Sequence, residues 1–92
     1  MLIQHRQRIE DPHGRSLDLV YCLISDQVLL ENRMVETYGI GIFCDDGKEL
    51  YWEMVPDISP CPEEVKELIS KLCKGHVTPL TLRDIIFDHI EK

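Results

Sequence analysis

Apolar residues in this chain change their period near Pro56. Upstream they alternate every second position, as on a pleated strand; downstream they recur every three to four, as on an amphipathic helix. The order is therefore sheet first and helices after. Residues 2–9 alternate loosely until Asp11-Pro12-His13-Gly14 breaks the pattern, so the N-terminal segment 1–15 reads either as an edge strand or as a flexible arm. Residues 17–24 are nearly all apolar or aromatic, the mark of a strand covered on both faces. Ser25-Asp26 reads as a bulge or bend before Val28, Leu29 and Leu30 continue the strand, and Glu31-Asn32-Arg33 reads as a turn.

The sharpest local pattern lies in residues 35–44 and 48–55, which flank Asp45-Asp46-Gly47. Two residues of helical geometry followed by a left-handed glycine predict a three-residue hairpin loop with a G1 bulge. Such a loop pairs Cys44 with Lys48. It places Tyr38, Ile40, Ile42, Cys44, Leu50, Trp52 and Met54 on the face that meets the helices, and Gly39, Gly41, Phe43, Glu49, Tyr51, Glu53 and Val55 on the other. A two-residue Asp46-Gly47 turn shifts the register by one and mixes glutamates with isoleucines on both faces, which disfavours it.

Ser59-Pro60 predicts the start of a first helix over about 60–74, with Ser59 as N-cap and a proline in the first turn. Glu63 and Glu64 near its start and Lys71 and Lys74 near its end complement the helix dipole. Its apolar stripe is Val65, Leu68, Ile69, Leu72 and Cys73, and Gly75 is expected to end it in a left-handed conformation. Thr78-Pro79 repeats the start signal for a second helix over about 79–91, whose stripe is Leu82, Ile85, Ile86, His89 and Ile90. The architecture expected is a single α+β domain spanning 1–92. A three- or four-stranded antiparallel meander over about 2–55 is followed by two C-terminal helices packed on one face.

Charge narrows the function classes. The net charge is -7, and Arg6, Arg8 and Arg15 nearly balance the N-terminal segment, so the acidity lies beyond Ser16. That surface repels a polyanion, which argues against nucleic acid as a partner. The longest apolar run, residues 19–24, is too short to cross a bilayer, and the first residues lack the apolar core of an export signal. No membrane role is expected, and a cytoplasmic location is. The cysteines Cys22, Cys44, Cys61 and Cys73 then read as reduced, buried small hydrophobes.

Few residues suggest chemistry. Gly39-x-Gly41 lies within a strand and not at the start of a helix, so it is no phosphate-binding loop; it leaves room for a close neighbour on its face. Cys73-x-x-His76, with Cys61 and Cys44 upstream, is the one grouping with transition-metal character, and a zinc site is normally declared by two such pairs. Metal candidates are thus Cys73 and His76, and His89 reads as a core-edge histidine favoured by the helix dipole. Asp84, Asp88 and Glu91 line one side of the second helix, as a solvated face or an acidic docking stripe. No thiol–base pair and no facing acid and base can be assembled from the spacing, so neither catalytic nor cofactor-binding residues are expected.

The strand Tyr38-Gly39-Ile40, the segment Asp57-Ile58-Ser59 before the first helix and the closing Thr78-Pro79-Leu80-Thr81-Leu82-Arg83-Asp84-Ile85-Ile86 resemble a family of small uncharacterised proteins from spore-forming Gram-positive bacteria. The resemblance spans roughly 16–91 and implies a domain of unknown function, with no site residue to carry over. The expected function is a non-enzymatic protein-interaction or regulatory module, with a homodimer as the expected assembly; the alternatives are a small-ligand or metal-binding protein and a cryptic small enzyme. Phe43, Tyr51 and Val55, pointing away from the helices, are the expected interaction surface.

Overall fold

The computed structural model describes the backbone of residues 1–90 and the side chains of residues 1–88. The roles assigned above to the side chains of His89 and Ile90, and to Glu91, lie outside the described residues. Four strands, β1 (Leu2–Glu10), β2 (Ser16–Leu30), β3 (Arg33–Asp45) and β4 (Leu50–Ser59), precede two helices, α1 (Pro62–Lys74) and α2 (Leu82–Ile90). Each strand pairs antiparallel with its sequence neighbour, giving the order β1-β2-β3-β4. This is the expected α+β meander, with four strands. The N-terminal segment is an edge strand: β1 runs along β2 from Leu2↔Leu23 to Glu10↔Ser16, with a register shift between Ile3 and His5. The Asp11 carboxylate holds the turn that follows by accepting the His13 and Arg15 N–H groups, each at 2.9 Å.

The β2–β3 register puts Leu19, Tyr21 and Leu23 beside Cys44, Ile42 and Ile40 on one face of the sheet. Val65, Leu68, Ile69 and Leu72 of α1, Val77 of the link and Leu82 and Ile86 of α2 close over them in a single buried cluster. Full burial of one such aliphatic side chain contributes about 1.5–3 kcal/mol, so this face holds the protein together. Among the described residues of the expected α2 stripe, Leu82 and Ile86 are buried and Ile85 is exposed.

The β3–β4 hairpin departs from expectation. Asp45 pairs with Leu50 and Cys44 with Tyr51, so the loop is the four residues Asp46 to Glu49 and Cys44 does not meet Lys48. Gly47 does take a positive φ of 90°. Side chains lengthen the loop: Asp45 Oδ1 accepts the Gly47 N–H at 2.8 Å, and Asp46 Oδ1 accepts the Lys48 and Glu49 N–H groups at 2.9 and 2.8 Å. These bonds satisfy the loop backbone that a shorter turn would place in the ladder. Adding one residue reverses every side chain of β4. Tyr51, Glu53 and Val55 therefore lie on the helix side, and Leu50, Trp52 and Met54 on the opposite side. Val55, expected to point outward, is only 6% exposed and belongs to the core.

Farther along, Ile40 pairs with Val55 but Tyr38 with Ser59, so Pro56-Asp57-Ile58 bulges out of β4 opposite Gly39. A Cβ on Gly39 would collide with the Val55 carbonyl oxygen and the Pro56 Cα, so the glycine serves backbone contact. Asp57 takes a φ of 55°, and its carboxylate accepts the hydroxyl of buried Thr37 at 2.8 Å. Pairing thus carries β4 to Ser59, four residues beyond the expected end of the sheet.

Both helices start later than expected. Because Ser59 is still in β4, Cys61 occupies the N-cap position of α1 and Pro62 the first turn. The Ser59 hydroxyl accepts the Cys61 N–H at 3.1 Å and donates to Glu64 at 2.8 Å. Residues 78–81 form a turn of their own, with Thr81 N–H donating to the Thr78 carbonyl at 3.3 Å, and α2 begins only at Leu82. Gly75 does not take the left-handed position; its φ is -85° and His76 has φ 54° instead. Val77 N–H donates to the Leu72 carbonyl at 3.0 Å and His76 N–H to the Cys73 carbonyl at 3.1 Å, the paired bonds of a Schellman motif. The left-handed position thus falls one residue after Gly75, at His76, and Val77 and Leu72 are both buried in the core.

Candidate interaction surface

Helices cover one side of the sheet only. By register the other side carries Ile3, Arg6 and Arg8 of β1; Asp18, Val20, Cys22 and Ile24 of β2; Gly41, Phe43 and Asp45 of β3; and Leu50, Trp52 and Met54 of β4. Ile24, Phe43 and Met54 close over Gly41, each with a carbon 3.6–3.8 Å from where its Cβ would stand. Beside this small cluster Leu50 and Trp52 are open to solvent, at 63% and 60% exposure, and so is about half of Ile3. The result is a flat apolar field with a shallow groove at one end, floored by Val20, Phe43 and Leu50 and rimmed by Arg6, Arg8, Asp18 and Asp45. Arg8 and Asp18 meet across that rim at 2.7 Å, and hydrogen bonding to the guanidinium holds the Asp18 carboxyl below its ordinary value.

Of the residues expected to form this surface, Phe43 is there. Tyr51 and Val55 lie on the other side. Tyr51 sits at the edge of the helix layer, lining a cleft with Leu17, Cys44 and Pro79, and its hydroxyl donates to Glu49 at 2.7 Å. Their places are taken by Leu50, Trp52 and Met54. The signal that could have found them is Asp45-Asp46, since two consecutive aspartates can each cap loop N–H groups and so support a four-residue connection.

The cysteines divide between layers. Cys44 faces the helices and Cys22 the uncovered side, both buried, and burial pushes both thiols up. All four cysteines are free, but contrary to expectation Cys61 is exposed, because it stands at the N-cap of α1 outside its apolar stripe, and Cys73 is only half-buried. Cys73 packs at the edge of the core, whereas His76 is an exposed residue of the link. Among the described residues, no three His, Cys, Asp or Glu side chains come together as metal ligands.

A second feature was absent from the sequence expectations. The β2–β3 ladder continues without a register break from Asp18↔Asp45 to Leu30↔Arg33, through the proposed bend at Ser25-Asp26. β1 pairs only as far as Leu23 and β4 ends against Tyr38, so the rest of the hairpin projects as a two-stranded arm. Its tip is a two-residue turn, Glu31-Asn32, with φ 50° and 64°, the type I′ geometry that suits strand twist. Leu29, Leu30 and Met34 beside that turn are 60–69% exposed. The arm makes the molecule long, 50 × 26 × 18 Å. Its radius of gyration of 14.1 Å exceeds the about 12 Å expected of a compact chain of this length. No described helix is long and apolar enough to cross a membrane.

The model of a family of unknown function, DUF6514, matches residues 1–92. No curated protein and no solved structure matches the chain.

Proposed function

The chain belongs to this family of unknown function along its whole length, and from its surface chemistry we propose that it is a non-enzymatic interaction module that pairs with a second copy of itself. The observation that carries this reading is the apolar field of Val20, Ile24, Phe43, Leu50, Trp52 and Met54 opposite the helix layer. Monomeric proteins seldom leave a sheet face of that kind uncovered, and indole and phenyl rings on it are the side chains that interfaces favour. A flat sheet face is satisfied by another flat sheet face, and closed two-fold pairing supplies one without a further gene product. The cytoplasm is the proposed location. Four free thiols, two of them buried on opposite sides of the sheet, suit a reducing compartment.

Light scattering at micromolar concentration is expected to give twice the chain mass of 10.7 kDa. Trp52→Glu is expected to return the protein to monomer, and Tyr51→Glu, on the other side of the sheet, to leave the dimer intact. A monomeric wild type across the accessible range overturns the proposal.

A further inference from the structure

Resting on the reading that two copies meet through the uncovered side of the sheet, we infer that the β2–β3 arm of each protomer seats in the groove at the far end of its partner's sheet. The arm continues that same side. In the unbroken register Val28 and Leu30 fall on the side of Val20, Cys22 and Ile24, with Val35 and Arg33 as their β3 neighbours. One face of a single hairpin therefore carries an apolar tip at one end and an apolar groove at the other.

A two-fold axis passing near Ile24 and perpendicular to the strands brings these ends together twice. Val28 then lies over the partner's Val20, and Leu30 and Arg33 lie over the partner's Asp18 and Asp45. The spacing fits, because Ile24 is midway between Asp18 and Leu30 on β2. The charges fit as well. Arg33 at the tip has no ion pair among the described residues, and the groove end offers Asp45, which makes none either; Glu31 approaches the side lined by Arg6 and Arg8. An acidic chain meeting its own copy needs such local complementarity.

Size points the same way. The body face from Asp18 to Ile24 is only about 20 Å long, small for the ~800 Å² per partner of a stable interface, and the arm from Ile24 to Leu30 adds about 20 Å more. A free two-stranded ribbon with an apolar tip is also marginal by itself, and a seat on a partner is what keeps it ordered.

The test is sedimentation of the full chain with variants at exposed positions. Arg33→Glu is expected to raise the dimer dissociation constant at least tenfold. Asp45→Asn, which keeps the oxygen that accepts the Gly47 N–H and removes only the charge, is expected to weaken the dimer severalfold, and Arg33→Glu is expected to cost at least threefold less in the Asp45→Asn background than in wild type, because a two-fold contact pairs each residue with the other's copy. Leu30→Asp, which leaves Asp45 and its loop untouched, is expected to weaken the dimer similarly. Thermal melts confirm that each variant folds. A wild-type dimer indifferent to Arg33→Glu and Leu30→Asp overturns the arm's role and leaves the sheet-face reading standing. An Arg33→Glu cost that is the same in both backgrounds overturns the assigned pairing, and a wild-type monomer overturns both.

Discussion

Replacing Tyr21 by Phe tests how the helix layer is fastened to the sheet. Tyr21 is fully buried at the centre of β2. Its hydroxyl donates to the Val77 carbonyl at 2.7 Å and accepts from Gln7 Nε2 at 3.0 Å, and that same amide nitrogen donates to the Cys73 carbonyl at 2.9 Å. Edge strand, central strand and the link to α2 meet at that oxygen, and the Gln7 amide carries the network on to the end of α1. The ring stays in Tyr21→Phe, so apolar burial is unchanged. What is lost is both bonds at the hydroxyl, the one accepted from Gln7 and the one donated to Val77, whose carbonyl is left without that donor, a cost of about 1–3 kcal/mol. For a domain of this size about 2 kcal/mol lowers Tm by about 10 °C. The hydroxyl also titrates. Burial, ahead of the other causes, pushes its pKa from 10.0 up to about 12. A raised folded value means its contribution is fully present below pH 10 and is lost as pH rises through 12. Wild type is therefore expected to lose stability over that alkaline window, and Tyr21→Phe to show a flatter profile there. In a tyrosinate absorbance titration the variant should lack the step near pH 12. A melting temperature within 2 °C of wild type, together with an unchanged titration, refutes the reasoning.

Two further substitutions probe the backbone. Gly39→Ala drives a methyl group into the Val55 carbonyl and Pro56 Cα, main-chain atoms that cannot rotate away, so a loss of about 2 kcal/mol or more is expected in denaturant unfolding followed by Trp52 fluorescence; an unchanged midpoint argues against the close approach of β3 and β4. His76→Gly relieves a left-handed residue at the end of α1 and is expected to stabilise by about 0.5–1 kcal/mol in the same measurement, whereas a loss of stability counts against the Schellman geometry.

The layer order, the antiparallel meander and the buried stripes of α1 were legible because they rest on periodicity alone. A period of two or of three to four survives any small error in where an element begins. The side of the sheet taken by β4 was not legible, since it depends on the parity of one loop. Asp45 and Asp46 decide that parity through hydrogen bonds to Gly47, Lys48 and Glu49, and choosing a loop by hydrophobic alternation could not see them. The alternation itself misled: Leu50, Trp52 and Met54 look like core residues and lie on the uncovered side. Gly75 misled for a different reason: the local bonds from His76 and Val77 back to the end of α1 set the left-handed position at His76, one residue beyond the glycine. The arm was hidden by Ser25-Asp26, which are polar because no third strand covers them there; they do not bend the chain.

The unbroken ladder between β2 and β3 also sets an order of events in folding. Every strand pairs with its neighbour in sequence, and the Glu31-Asn32 turn closes the shortest possible loop, so this hairpin can zip from its tip within about 1–10 μs. The helices, which must return from the end of the chain, come last. During synthesis the sheet can form once Ser59 has emerged from the ribosome, before Val65, Leu68, Ile69 and Leu72 have followed it out. For that interval Leu19, Ile40 and Ile42 lie bare on one side while Leu50 and Trp52 are open on the other. The nascent chain is then a greasy two-sided ribbon, and the last thirty or so residues act as its own intramolecular chaperone.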